Sequence, residues 1–335
     1  MKFPKILSIA ITTACASMTA MPNAVSGAEF EWKFFTYFVT NSSAAAINRE
    51  FAKDVTNNSD GRLKIEVFSA GELPFKASDV VRAVATNKVQ MGDAAVGFVA
   101  GDVPELNIFS IPFVCTNFDG FENSLPSIEP IIRNQMSEKF GINVLMNWPM
   151  PPQNIWTVEP IASVSELEGR KIRAWNPLQV EMLGKLSAAA ISMSGSEVPT
   201  ALQTKVIEGA ITSALSVADW KISESVRGGL VTDFSLGHQF TLVNQEAFDE
   251  LPKDLQQLLE VTAKEYQSRF SAAMELADAT ARDTLKSDGM ILTQMTADDA
   301  KFAQQLMAPM AEQWVSENGA VAAELLKNVR ANCGV

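Results

Sequence analysis

The chain has 335 residues, 27 of them basic against 39 acidic, with one histidine and three cysteines. So acidic a surface disfavours nucleic acid as a partner, and a lone histidine offers no cluster on which to build a metal centre. The composition is otherwise that of an ordinary globular protein without low-complexity segments or internal repeats, so a packed core is expected.

Residues 1–28 read as a secretory signal. Lys2 and Lys5 precede an apolar core from Ile6 to Met21, and Ser26-Gly27-Ala28 supplies the small residues of a cleavage site near Ala28. That core is too short to anchor in a bilayer, and no later stretch is long and apolar enough, so an exported protein soluble in the periplasm is expected. The two remaining cysteines, Cys115 and Cys333, form one disulfide in an oxidising compartment or stay as two buried thiols. The mature length suits two lobes better than one core.

An aromatic run over 31–39, with Trp32, Phe34, Phe35, Tyr37 and Phe38, predicts a central strand. Ser42 and Ser43 can cap a helix to about residue 58, Asp60-Gly61 turns the chain, and Leu63, Ile65 and Val67 alternate along a half-buried strand over 62–68. Strand, helix, strand in that order argues for a parallel α/β sheet. The loop 69–73 with Glu72 leads to a helix over 78–88 and a strand over 89–96, and Phe98 follows that strand. The apolar segment 108–114 reads as core, a helix over 118–139 precedes a strand over 142–148, and the prolines at 149, 151 and 152 should stop the ladder and form a stiff crossover ending at Gln153.

The stretch 163–213 organises the rest. Ser163 and Glu166 form a capping box, 171–175 is a short strand, Pro177 opens a helix, a strand follows at Ala190, and Pro199 opens another helix. Arg173 sits alone in an otherwise apolar strand, and a guanidinium there needs an anion, from the protein (Glu168 or Glu208) or from a ligand. A helix over 214–223 carries Trp220, strands over 230–236 and 240–244 lead back, one helical pattern fills 252–286, and a last amphipathic helix spans 297–327. At 1.5 Å per residue the 252–286 helix is on the order of 50 Å long, longer than one small lobe.

G-R-K-I-R-A at 169–174, followed by E-V-P-T-A-L-Q-T-K-V-I-E-G at 197–209, resembles the paired signature of the DctP family, the solute-binding proteins of tripartite ATP-independent periplasmic (TRAP) transporters. The resemblance implies an α/β, two-lobed periplasmic-binding-protein-like fold with a cleft between the lobes and a long lobe-spanning helix. The lobes would be 29–150 with 238–270, and 151–237 with 271–335. It implies that Arg173 clamps a ligand carboxylate and that a TRAP permease is the partner of a monomeric binder. It further implies that Glu72, Phe98, Gln153 and Thr212 lie at the ligand, the other readings being a solvated loop acid for Glu72 and an ordinary strand-end hydroxyl for Thr212; Trp175, on the face of Arg173 by strand alternation, and Phe35, Asn176, Ser213 and Trp220 adjoin them. Gln153 stands where several members carry a second arginine, and Gly195, where some carry an aromatic residue, leaves room for a bulkier ligand group.

One arginine rather than two, hydroxyls at Thr212 and Ser213, and nearby tryptophans point to a monocarboxylate with an apolar or aromatic body, such as a 2-oxo or 2-hydroxy acid. A sugar acid, a C4-diacid or a compatible solute such as ectoine is the alternative, as is a receptor serving a membrane sensor. No G-x-S-x-G, phosphate-cradling loop or Cys-His pair is present, so neither catalysis nor a cofactor or metal is expected. His238 is expected to be solvated or hydrogen-bonded.

Overall fold

The computed structural model describes residue 1 and residues 27–334, so the signal segment lies almost wholly outside the described residues. Eleven described strands form two sheets: β1 Phe30–Phe35, β2 Leu63–Phe68, β3 Met91–Ala95, β4 Ile142–Met150, β5 Asn154–Thr157, β6 Lys171–Ala174, β7 Ala189–Ser192, β8 Gly209–Thr212, β9 Gly228–Val231, β10 Gly237–Asn244 and β11 Ile291–Gln294. The first lobe's sheet runs β2-β1-β3-β10-β4 and the second's β11-β9-β5-β8-β6-β7.

The first sheet is mixed rather than parallel. β1 pairs in parallel with β2 and β3, as the strand-helix-strand order predicts, but β10 enters from the second lobe and lies antiparallel to β3 and β4. The proline-rich crossover starts later than expected, because Pro149 stays in register opposite His238. β4 is an edge strand, where a missing N–H need leave no ladder bond unmade. The chain passes to the second sheet through 151–153 and returns through 232–236.

The helix Lys253–Ser287 joins the lobes. Leu255, Leu259, Tyr266, Phe270 and Met274 pack into the first lobe's core, while Ala281 and Leu285 pack with Trp156 and Val198 in the second. The terminal segment departs from the single helix expected over 297–327. It forms Ala297–Met307 and Pro309–Cys333, broken where Pro309 cannot continue the ladder and bent again at Gly319, whose φ of 74° is left-handed. The lobe boundaries expected from the resemblance assign 271–335 to the second lobe. In the structure Trp314, Leu325, Leu326 and Val329 instead pack with Phe121, Leu125 and Ile128 of the helix Phe118–Phe140 in the first, because the break at Pro309 redirects their apolar face. Cys115 and Cys333 are joined as a disulfide that fastens this tail.

Candidate functional site

Between the lobes lies a cavity of about 680 Å³, lined from one side by Phe35, Tyr37, Phe98 and Gln239 and from the other by Arg173, Trp175, Thr212 and Trp220. Arg173 comes from the middle of β6, where Ile191 and Ala210 flank it in register. The side chain is 3% exposed and forms no ion pair within the described residues; Glu208 instead accepts the Lys171 N–H. Its Nε donates to the Met193 carbonyl and its Nη1 to the Ile211 carbonyl, both at 3.0 Å, leaving Nη2 without a protein partner. Burial presses its pKa down to about 9, the signature of a cation lacking a counter-charge. Carbonyl dipoles fix its direction but do not neutralise it.

Aromatic rings surround that charge. The Arg173 guanidinium lies 5.5 Å from the Trp220 ring centroid, a cation-π arrangement. Gly195 permits this approach, since a Cβ there would meet the Trp220 indole at 2.5 Å. The place of the absent side chain is thus taken by the Trp220 indole, with Gly195 itself on the cavity wall. Phe98 stands edge-on to Trp175 at 6.3 Å and to Tyr37 at 5.3 Å, completing an apolar wall.

Not every expected residue reaches the cavity as a free group. Gln153 lines it, but its Oε1 accepts from the Trp175 Nε1 and its Nε2 donates to the Pro151 carbonyl, so it orients Trp175. Asn176 and Ser213 cap helices, accepting from the backbone N–H groups of Gln179 and Ser216. Glu72 is exposed and folds back on the Ser69 N–H. These three are absent from the cavity wall. Thr212 lines it, and its hydroxyl makes no hydrogen bond within the protein. Trp148 and Trp156 are core residues, at 0% and 1% exposure. His238 is buried against Phe109, Phe121 and Phe240, and burial lowers its pKa to about 3.

Sequence reasoning missed Tyr37 and Gln239, which meet across 202 positions: the Tyr37 hydroxyl donates to the Gln239 Oε1 at 2.6 Å. Only the aromatic run marked Tyr37, and it read as strand, whereas β1 stops at Phe35. Lys76 of the first lobe and Glu197 of the second were missed too, and face each other at the cavity mouth.

Two sheets, a cavity between them and a buried guanidinium that opens on it without a carboxylate partner describe a two-lobed solute-binding protein. Comparison with known proteins makes this specific. The chain belongs to the DctP family, described as bacterial extracellular solute-binding protein, family 7, whose model matches residues 40–318. It is similar to DctP7 of Bordetella pertussis, an extracytoplasmic solute receptor binding pyroglutamic acid, with 26% identity and a TM-score of 0.86 over 90% of this chain and 99% of that one. The fold is shared with the sugar acid binding protein DctPAm of Advenella mimigardefordensis, in complex with galactonate, at 20% identity and a TM-score of 0.86 over 92% and 100% of the two chains. The ectoine/5-hydroxyectoine-binding periplasmic protein UehA of Ruegeria pomeroyi is 25% identical over 297 residues, covering 85% of each chain. No helix among the described residues is long and apolar enough to cross a membrane.

Proposed function

We propose that this protein captures a small organic acid, by preference a monocarboxylate with a compact apolar or ring-shaped body, and delivers it to a TRAP-type permease. The observation that carries the reading is Arg173, a buried guanidinium with no carboxylate partner and a free Nη2 on the cavity. A ligand carboxylate would supply the missing charge in fork geometry, with the Thr212 hydroxyl as a further donor. No second arginine stands beside Arg173 for a diacid, because Gln153 holds that place and is spent on Trp175 and Pro151, and Lys76 at the cavity mouth is set against Glu197. Pyroglutamate, the acid held by DctP7, fits this description: one carboxylate on a five-membered ring. An ectoine box is disfavoured, since Arg173 already occupies the Trp220 face.

Closure of the lobes would expel water and strengthen the ion pair in a medium of lower dielectric constant. The test is a thermal-shift series on refolded protein with pyroglutamate, 2-oxo and 2-hydroxy acids, galactonate, a C4-diacid and ectoine. A monocarboxylate at a hundredfold excess over Kd should add about 2.7 kcal/mol to the wild type and nothing to Arg173→Ala. An equal shift in both proteins, or a preference for diacid or ectoine, would defeat the reading.

A further inference from the structure

Arg173 belongs to the second lobe, and a ligand held by one lobe alone cannot favour closure: closure is driven only by contacts that the closed state makes better on both sides. Among the first lobe's polar side chains on the cavity wall, Lys76 and Ser78 are exposed, and Gln239 is the buried amide. Gln239 lies in β10 between β3 and β4, is 2% exposed and lines the cavity. Its Oε1 is held by the Tyr37 hydroxyl at 2.6 Å, a distance that suits O–H···O better than N–H···O. Burial, and then the Asp93 carboxylate, hold the Tyr37 phenol protonated well above its ordinary pKa, so it stays a donor. With the oxygen fixed, the Nε2 amide must point the other way, and it has no partner within the protein. That donor opens on the cavity, where water can serve it; once closure expels the water the donor needs an acceptor, and a ligand that supplies one removes the cost.

We infer that Gln239, positioned by Tyr37, is the specificity-determining donor of the first lobe and selects acids that carry a carbonyl or hydroxyl acceptor on the end remote from the carboxylate. This rests on Arg173 holding the carboxylate. The ligand would then bridge the lobes, with its carboxylate on β6 and its distal oxygen on β10. Between acids of like shape, the one without that oxygen should be rejected.

The experiment compares Kd for pyroglutamate, which has a ring carbonyl, with Kd for cyclopentanecarboxylate, which has the ring and carboxylate alone. Calorimetry would use refolded wild type, Gln239→Leu, Gln239→Glu, Tyr37→Phe and Arg173→Ala. The wild type should prefer pyroglutamate by about tenfold or more, as expected for one buried hydrogen bond. Gln239→Leu should bring the ratio near one while leaving cyclopentanecarboxylate affinity within about threefold, Gln239→Glu should also bring the ratio near one although its added charge weakens both acids, and Tyr37→Phe should lower the ratio part of the way by freeing the amide. Should Gln239→Leu fail to fold, the isosteric Gln239→Glu and Tyr37→Phe decide. Equal wild-type affinity for the two acids, or an unchanged ratio in the Gln239 variants, overturns the inference and leaves the Arg173 reading intact. Undiminished binding of both acids by Arg173→Ala, or binding of neither by the wild type, overturns that reading and the inference with it.

Discussion

Single residues in this protein are governed by what meets them across the cleft or the core. Gly195 shows the steric side: a methyl group there would push the Trp220 indole, 2.5 Å away, off the Arg173 guanidinium. Gly195→Ala should therefore lower stability by about 1 kcal/mol, in the overpacking range, and weaken acid binding several-fold, as calorimetry would read. Asp93 shows the electrostatic side. Although Thr241 and Asn48 donate to it, burial raises its pKa to about 7. The folded protein thus binds a proton there that the unfolded chain has released, and stability falls as pH rises from about 4 to 7. His238 acts oppositely: with its pKa lowered to about 3, it adds stability as pH rises from about 3 to 6.5. Asp93→Asn, in which Asn48 can turn its unpartnered Oδ1 inward, should remove the first slope, so that denaturant unfolding at pH 8 finds the variant relatively more stable than at pH 4. Trp220 was singled out only as a tryptophan near the signature segment; Arg173 was legible because the family signature marks its strand, and Trp175 because it follows two residues on. Tyr37 and Gln239 were not, since a pair 202 residues apart leaves no local pattern, and Gln153 misled because its amide is spent on a tryptophan 22 residues on.

At the scale of elements, the second crossover and the long helix are fastened by one ion cluster. Arg282 reaches Asp233, in the segment returning to β10, at 2.5 Å and Asp278 at 2.8 Å, while Asp278 also accepts the Leu215 N–H. Truncation would leave the nearly buried Asp278 charge without its counter-ion. Arg282→Ala should thus cost about 1–3 kcal/mol in chemical denaturation, more than an exposed pair such as Arg330–Glu312. The Cys115–Cys333 bond spans 218 positions and ties the terminal helix to the first lobe, so its reduction should cost about 2–5 kcal/mol, measurable as a lower Tm with reductant. Helices and alternating strands were readable because periodicity is local. The ladder through Pro149, the antiparallel entry of β10 and the return of 309–333 to the first lobe were not, since each depends on which distant surface is left to cover.

Taken whole, the molecule is two sheets joined by 151–153, 232–236, the helix Lys253–Ser287 and the passage near Pro309. Four connections leave little freedom beyond a rocking of one lobe on the other, which suits capture of a solute between Tyr37 and Gln239 on one side and Arg173 on the other. Of the six tryptophans, Trp148 and Trp156 are sealed in the cores, whereas half-buried Trp175 and Trp220 stand on the cavity wall. The protein therefore carries its own optical gauge. Seating an acid should change the ultraviolet emission of those two indoles without any label, and the change should vanish in a Trp175→Phe, Trp220→Phe double variant while emission from the four buried tryptophans Trp32, Trp148, Trp156 and Trp314 persists.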